Sequence, residues 1–126
     1  MIVDGQHEVE VYELFRDGKE RLASGNPAGA VEVLELAVEA EPSKGSLRET
    51  LARAYFASQR TSRARDEFER VLELDPKDDY AHFGLGRCLE RQGELARAKG
   101  QYKLARALSD LPMYEQALRR VEARLA

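Results

Sequence analysis

Residues 64–76 read Ala-Arg-Asp-Glu-Phe-Glu-Arg-Val-Leu-Glu-Leu-Asp-Pro. Ala64, Phe68 and Val71 are spaced by four and three, which places them on one face of a helix. Pro76 supplies a stop, because it has no N–H to donate and its ring clashes with a preceding helical turn. The same skeleton stands 34 residues earlier as Ala30, Leu34, Ala37 and Pro42. It stands 34 residues later as Ala98, Tyr102 and Ala105, with Asp110 in the place of the proline. A fixed period of this length marks a repeat array, in which each unit buries an apolar flank against the next.

Each copy is preceded by a second helical pattern. Val11, Leu14, Phe15, Gly18 and Leu22 form one apolar face over residues 8–23. Leu47, Leu51, Ala54, Tyr55 and Phe56 do so over 45–58, and a third such helix is expected over 79–92. The turns between carry their own chemistry. Gly25 suits a left-handed residue after a helix, Asn26 a cap, and Pro27 a first helical turn. Gly93 marks the equivalent turn, and Asp78 is placed to cap the helix that follows Pro76. Returning helices are expected at 27–40, 62–74 and 94–108, and residues 109–112 break the chain before a last, unpaired helix at 113–125. No run alternates with period two, so the fold class is all-α with seven helices. Gly18, Ala52 and Gly86 give a small residue where paired helices approach, with Ala30, Ala64 and Ala98 as mates.

These residues resemble the tetratricopeptide repeat family. The middle unit, 45–78, carries the pattern most fully in Leu51, Ala52, Tyr55, Ala64, Phe68, Val71 and Pro76. The unit 79–112 has Leu85, Gly86, Gly93, Ala98, Tyr102 and Ala105. The unit 11–44 has Gly18, Gly25, Ala30, Leu34, Ala37 and Pro42, but departs with Asp17 and Arg21 where Leu51 and Tyr55 have their counterparts. The resemblance implies a right-handed α-solenoid of antiparallel helix pairs. Residues 1–10 are then a leader, polar through residue 7, and 113–126 a capping helix. It also implies that the first helix of each pair lines a concave face that holds peptides or other proteins.

On such a face, residues 34 apart form vertical columns. One is Lys19, Arg53 and Arg87, all basic. Beside it run Tyr12, Ser46 and Tyr80; Phe15, Glu49 and Phe83; and Leu22, Phe56 and Glu90. The expected groove therefore consists of Tyr12, Phe15, Lys19, Glu49, Arg53, Phe56, Tyr80, Phe83 and Arg87. A cationic spine with aromatic walls suits a peptide bearing acidic and apolar side chains. Glu49 and Glu90 are expected to neutralise part of it. The family's clamp for the terminal carboxylate of chaperone tails maps to Phe15, Lys19, Thr50, Tyr80 and Gly84, of which Lys19 alone is retained in kind, so that clamp is rejected.

Composition narrows the function further. The 126 residues carry a net charge of −3, so no global field draws in nucleic acid. The single Cys88 rules out an internal disulfide and reads as a buried filler. His7 has no ligand partner at helical spacing, and His82 reads as a rim residue. No nucleophile stands at motif spacing from a base, so no enzyme activity, cofactor or metal is expected. The N-terminal residues lack a secretory signal and no apolar run reaches membrane-span length, which points to a cytoplasmic adaptor or scaffold. A competing expectation is self-association through Val31, Val33 and Val38, which stand where the other repeats carry mostly polar residues. Ile2 and Val3 of the leader could cover them.

Overall fold

A computed structural model describes residues 4–126, in which seven helices and no strand are found. The helices are α1 (Asp4–Ala23), α2 (Pro27–Ala40), α3 (Gly45–Ala57), α4 (Thr61–Leu74), α5 (Asp79–Arg91), α6 (Leu95–Leu108) and α7 (Pro112–Leu125). α1 pairs with α2, α3 with α4, and α5 with α6; each hairpin then packs on the next through α2–α3, α4–α5 and α6–α7. The result is an all-α solenoid of antiparallel helix pairs. α1 also touches α3, and α3 touches α5, whereas α2, α4 and α6 make no comparable contact among themselves. The first helices therefore form the tight inner layer, and the stack curves around them.

The turns behave as their residues dictate. Asn26 accepts the Gly29 N–H and Asp78 the Ala81 N–H, each capping a helix start. Gly25 and Gly93 both have φ of +82°, and Gln59, 34 residues from each, has φ of +66°. One turn geometry is thus used three times, with a strained non-glycine residue in the middle copy. α1 begins at Asp4, ahead of the expected start at residue 8, so part of the leader is helical. Extending an existing helix adds one hydrogen bond for each residue fixed, so upstream propagation is cheap.

The repeat skeleton is the core. Ala30, Ala64, Ala98, Leu34, Phe68 and Tyr102 are all at most 2% exposed. Burying a side chain such as Phe68 contributes about 1.5–3 kcal/mol. The small residues of the first helices face these large ones: a Cβ on Gly18 would lie 2.5 Å from Leu34, and one on Gly86 would lie 2.6 Å from Tyr102. The close approach is thus a small residue against the large residue of its own hairpin, in addition to the alanines.

The valines of the first repeat do not form an outer surface. Val31 and Val38 are buried in the core and Val33 is half-buried against it. The reason lies in the columns. Arg65, the counterpart of Val31, reaches Gln92 and Glu94 in the turn of the next hairpin. That position faces the following hairpin. The counterpart of Val33 is Glu67, which pairs with Arg48 across its hairpin at 2.8 Å; Gln101 and His82 repeat the pairing at 2.8 Å. In the first hairpin the two positions are Leu14 and Val33, both half-buried. The self-association surface is therefore interior; Ile2 and Val3 lie outside the described residues.

α7 is out of step with the repeats. The connections at 41–44 and 75–78 hold four residues, but 109–111 holds three. The connection is one residue shorter, and the register falls from 34 to 33. The burial pattern agrees: Ala81, Gly84, Leu85 and Cys88 of α5 are buried, and so are Tyr114, Ala117, Leu118 and Val121, each 33 residues on. By the same step Arg87 is continued by Arg120, and Arg91 by Arg124.

Candidate functional site

The inner layer presents a concave pocket of about 530 Å³. Lys19, Leu22 and Ala23 come from α1, Arg53, Phe56 and Ala57 from α3, and Tyr80, Gly84, Arg87 and Arg91 from α5. Phe68 of α4 shows through from behind. Successive first helices thus place side chains 34 apart around one opening. The lining holds four cations and no carboxylate, histidine or cysteine.

Each cation rests on an aromatic ring. The Lys19 ammonium is 4.4 Å from the centre of the Phe15 ring. The Arg53 guanidinium is 6.0 Å from the Tyr80 ring. Arg87 lies 4.3 Å and Arg91 3.5 Å from the Phe56 ring. Arg91 also donates to the Phe56 carbonyl at 2.9 Å and to the Thr61 hydroxyl at 3.2 Å. The ion pairs found among the described residues use none of these four. A ring orients a cation through its quadrupole without cancelling its charge. The four side chains are therefore positioned with their charge still available.

The two glutamates expected to neutralise the spine are engaged elsewhere. Glu90 receives Arg120 through Nε at 2.9 Å and Nη2 at 2.7 Å, and the Tyr102 hydroxyl at 2.7 Å. The Arg120 hydrogen bonds hold its carboxyl below the usual range. The Tyr102 phenol is pushed up, first by burial and then by Glu90. Arg87, Glu90 and Arg91 meet Arg120 and Arg124 around a second hollow of about 250 Å³ that shares the Phe56 wall. Glu49 is half-buried beside Asp78. Burial, then its hydrogen bond to this second carboxyl, raises its pKa to about 8, with Glu49 as the donor and Asp78 as the acceptor. Asp78 already accepts a backbone N–H as a helix cap, so the shared proton belongs on Glu49.

Of the residues predicted from sequence, Lys19, Arg53, Phe56, Tyr80 and Arg87 meet at the pocket. Phe15 underlies Lys19. Tyr12 is exposed on α1 with Arg16 5.9 Å from its ring, away from the pocket lining. Glu49 also stands outside the lining. Phe83 is not a groove wall: it is 8% exposed, with the Tyr102 ring at 5.7 Å and the Tyr114 ring at 5.1 Å. α7 seals this column at its third member, and Tyr114 is fixed there by a 2.6 Å hydrogen bond to Asp79. Sequence reasoning missed Ala23, Ala57 and Arg91, which form a column of their own at the 34-residue period. It missed Arg120 and Arg124 because they follow the 33-residue step.

Other reactive groups are spent on structure. Cys88 is buried, and burial pushes its thiol up to about 12. Both His82 ring nitrogens have partners, Gln101 and the Pro76 carbonyl. Thr50 of the rejected clamp is buried, with its hydroxyl donating to the Ser46 carbonyl of its own helix. Among the described residues, no helix is long and apolar enough to cross a membrane.

A sequence profile of the tetratricopeptide repeat matches residues 15–79 and 49–112. The tetratricopeptide repeat and J domain-containing co-chaperone DNJ1 of Fusarium oxysporum f. sp. lycopersici is 31% identical over 98 residues, which is 78% of this chain and 19% of that protein. The chain thus spans about a fifth of the length of this relative. The first TPR domain of Spaghetti (RPAP3), bound to an HSP90 peptide, superposes with a TM-score of 0.88 at 20% identity, covering 92% of this chain and 93% of that one. The type III secretion chaperone SycD of Yersinia enterocolitica, in complex with a peptide of the translocator YopD, superposes with a TM-score of 0.83 at 19% identity, covering 91% and 94%.

Proposed function

The chain belongs to the tetratricopeptide repeat family, and on that premise we propose that it is a non-enzymatic interaction module holding an acidic segment of a partner protein between α1, α3 and α5. The observation that carries this reading is the set Lys19, Arg53, Arg87 and Arg91: four cations around one pocket, each on a ring and none in an ion pair among the described residues. Guanidinium groups presented this way recognise carboxylates by charge-assisted, often bidentate hydrogen bonds. The chain as a whole is acidic, so the attraction is local to the groove and selects for anions there. The relatives support a peptide or protein as the occupant, since RPAP3 and SycD were each solved with a peptide. An adaptor role follows from this reading.

Selection of random peptides displayed on phage against the immobilised protein tests it. Enrichment of Asp and Glu beside apolar residues is expected, and it should disappear for the Arg53→Glu variant. Enrichment of basic sequences, or no enrichment, would sink the proposal.

A further inference from the structure

We infer that the acidic occupant inserts one large apolar side chain, flanked by carboxylates on both sides, into the pocket over Gly84. This rests on the acidic-segment reading above and narrows it. The floor of the pocket exists because of one missing side chain. Gly84 stands in a column with Arg16 and Thr50, and a Cβ there would run into the tip of the Phe68 ring. Phe68 is 2% exposed and belongs to the repeat core, yet it reaches the groove through that gap. The rim is low for the same kind of reason. Ala23 and Ala57 are small, and the third member of their column is Arg91. Leu22, Phe56 and Tyr80 complete apolar walls. A volume of about 530 Å³ falls within the roughly 300–1,000 Å³ of sites that enclose a compact ligand.

The cations then fix what must flank the inserted group. Lys19 stands on the α1 side of the opening, Arg87 and Arg91 on the α5 side, and Arg53 between them on α3. An apolar ligand alone fills the floor but leaves this charge without partners. A basic one is repelled. An acidic segment without an anchor satisfies the rim but leaves the half-buried Leu22, Phe56 and Tyr80 facing water. Only the combination answers both chemistries.

The protein contains no tryptophan, so a tryptophan in a peptide reports its own surroundings. Three labelled peptides decide the matter: a central tryptophan between glutamates, alanine in its place between the same glutamates, and tryptophan between lysines. Affinities come from fluorescence anisotropy, and insertion is read from the tryptophan emission. The glutamate–tryptophan peptide should bind about tenfold or more tighter than its alanine counterpart, with a blue-shifted emission. Ala57→Leu, which narrows the mouth of the pocket, should erase that difference, and a folded variant that keeps it in full would overturn insertion over Gly84. Equal affinities of the two acidic peptides for the wild type would overturn the anchor and leave the acidic reading standing. Failure of both to bind, or equal binding of the lysine peptide, would overturn the acidic reading and the anchor with it.

Discussion

The guanidinium carbon of Arg91 stands 3.5 Å from the centre of the Phe56 ring, and its Nη1 donates to the Phe56 carbonyl at 2.9 Å. Arg87 approaches the same ring at 4.3 Å. One half-buried aromatic on α3 therefore orients two cations on α5, across the junction between hairpins. Replacing Phe56 by leucine keeps an apolar wall but removes the ring face. Affinity for a glutamate-rich peptide should fall by about 1–2 kcal/mol, roughly five- to thirtyfold. The thermal melt should move little, because the position is half-buried. Anisotropy titration paired with a melting curve measures both, and unchanged affinity would show that the ring does not organise the cations.

The turn at Gln59 carries strain its two counterparts avoid. Gly25 and Gly93 take the left-handed conformation freely, whereas Gln59 takes it with a Cβ. Gln59→Gly should stabilise the protein by up to about 1 kcal/mol, the left-handed penalty less the added freedom of the unfolded chain. Urea unfolding checks this, and destabilisation would contradict it.

The carboxyl pair at Glu49 makes stability depend on pH in an unusual direction. Its folded pKa rises from 4.5 to about 8 because it is partly buried and bonded to Asp78. Asp79 adds to the rise and Arg53 opposes it. Between these values the folded state holds a proton that the unfolded chain releases. The stability this proton contributes is complete below about pH 4.5 and is lost as pH climbs towards about 8. Glu49→Gln keeps the neutral form at every pH. Its melting temperature should gain on the wild type steadily from pH 5 to pH 8. A gap that stays constant, or closes, would remove the shared proton from the account.

Glu90 fastens α7 and neutralises Arg120 and Arg124 at the second hollow. Its carboxylate receives Tyr102, Arg120 and, at 3.5 Å, Arg124. Its lowered pKa contributes stability that is present above the ordinary carboxylate range and is lost as pH falls through the folded value. Glu90→Gln should cost about 1–3 kcal/mol, with amide exchange accelerating in α7 before α2. The same change should tighten binding of a glutamate-rich peptide, because Arg120 and Arg124 lose an internal partner. Weaker peptide binding from a folded variant would separate the second hollow from the groove.

Much of this architecture was legible because each repeat states it again. Ala64, Phe68 and Pro76 and their counterparts fixed the hairpins, since residues that fill the same packing position are held to the same size. What escaped notice did so for physical reasons. Losing one residue from the connection at 109–111 shifts α7 to a 33-residue step, which hid Arg120 and Arg124 from a search at 34. Phe83 was expected in the groove because Phe15 and Glu49 share its column; its burial comes from Tyr114 on a helix outside the period. Val31 looked like surface because Arg65 and Lys99 are charged. Those side chains span the gap to the next turn or to α7, and a valine can be buried in the same gap. Arg91 is the third member of the 34-residue column of Ala23 and Ala57, so the periodicity contains it.

The most direct test of the central claim, that unpaired cations in the groove select an acidic segment, is a charge swap. The double variant Arg87→Glu/Arg91→Glu should be titrated by anisotropy with a glutamate-rich peptide and with its lysine-rich counterpart, at low and high salt. The account predicts that the folded variant loses about a hundredfold in affinity for the glutamate peptide and gains salt-sensitive affinity for the lysine peptide. An unchanged dissociation constant for the glutamate peptide in the folded variant would contradict it.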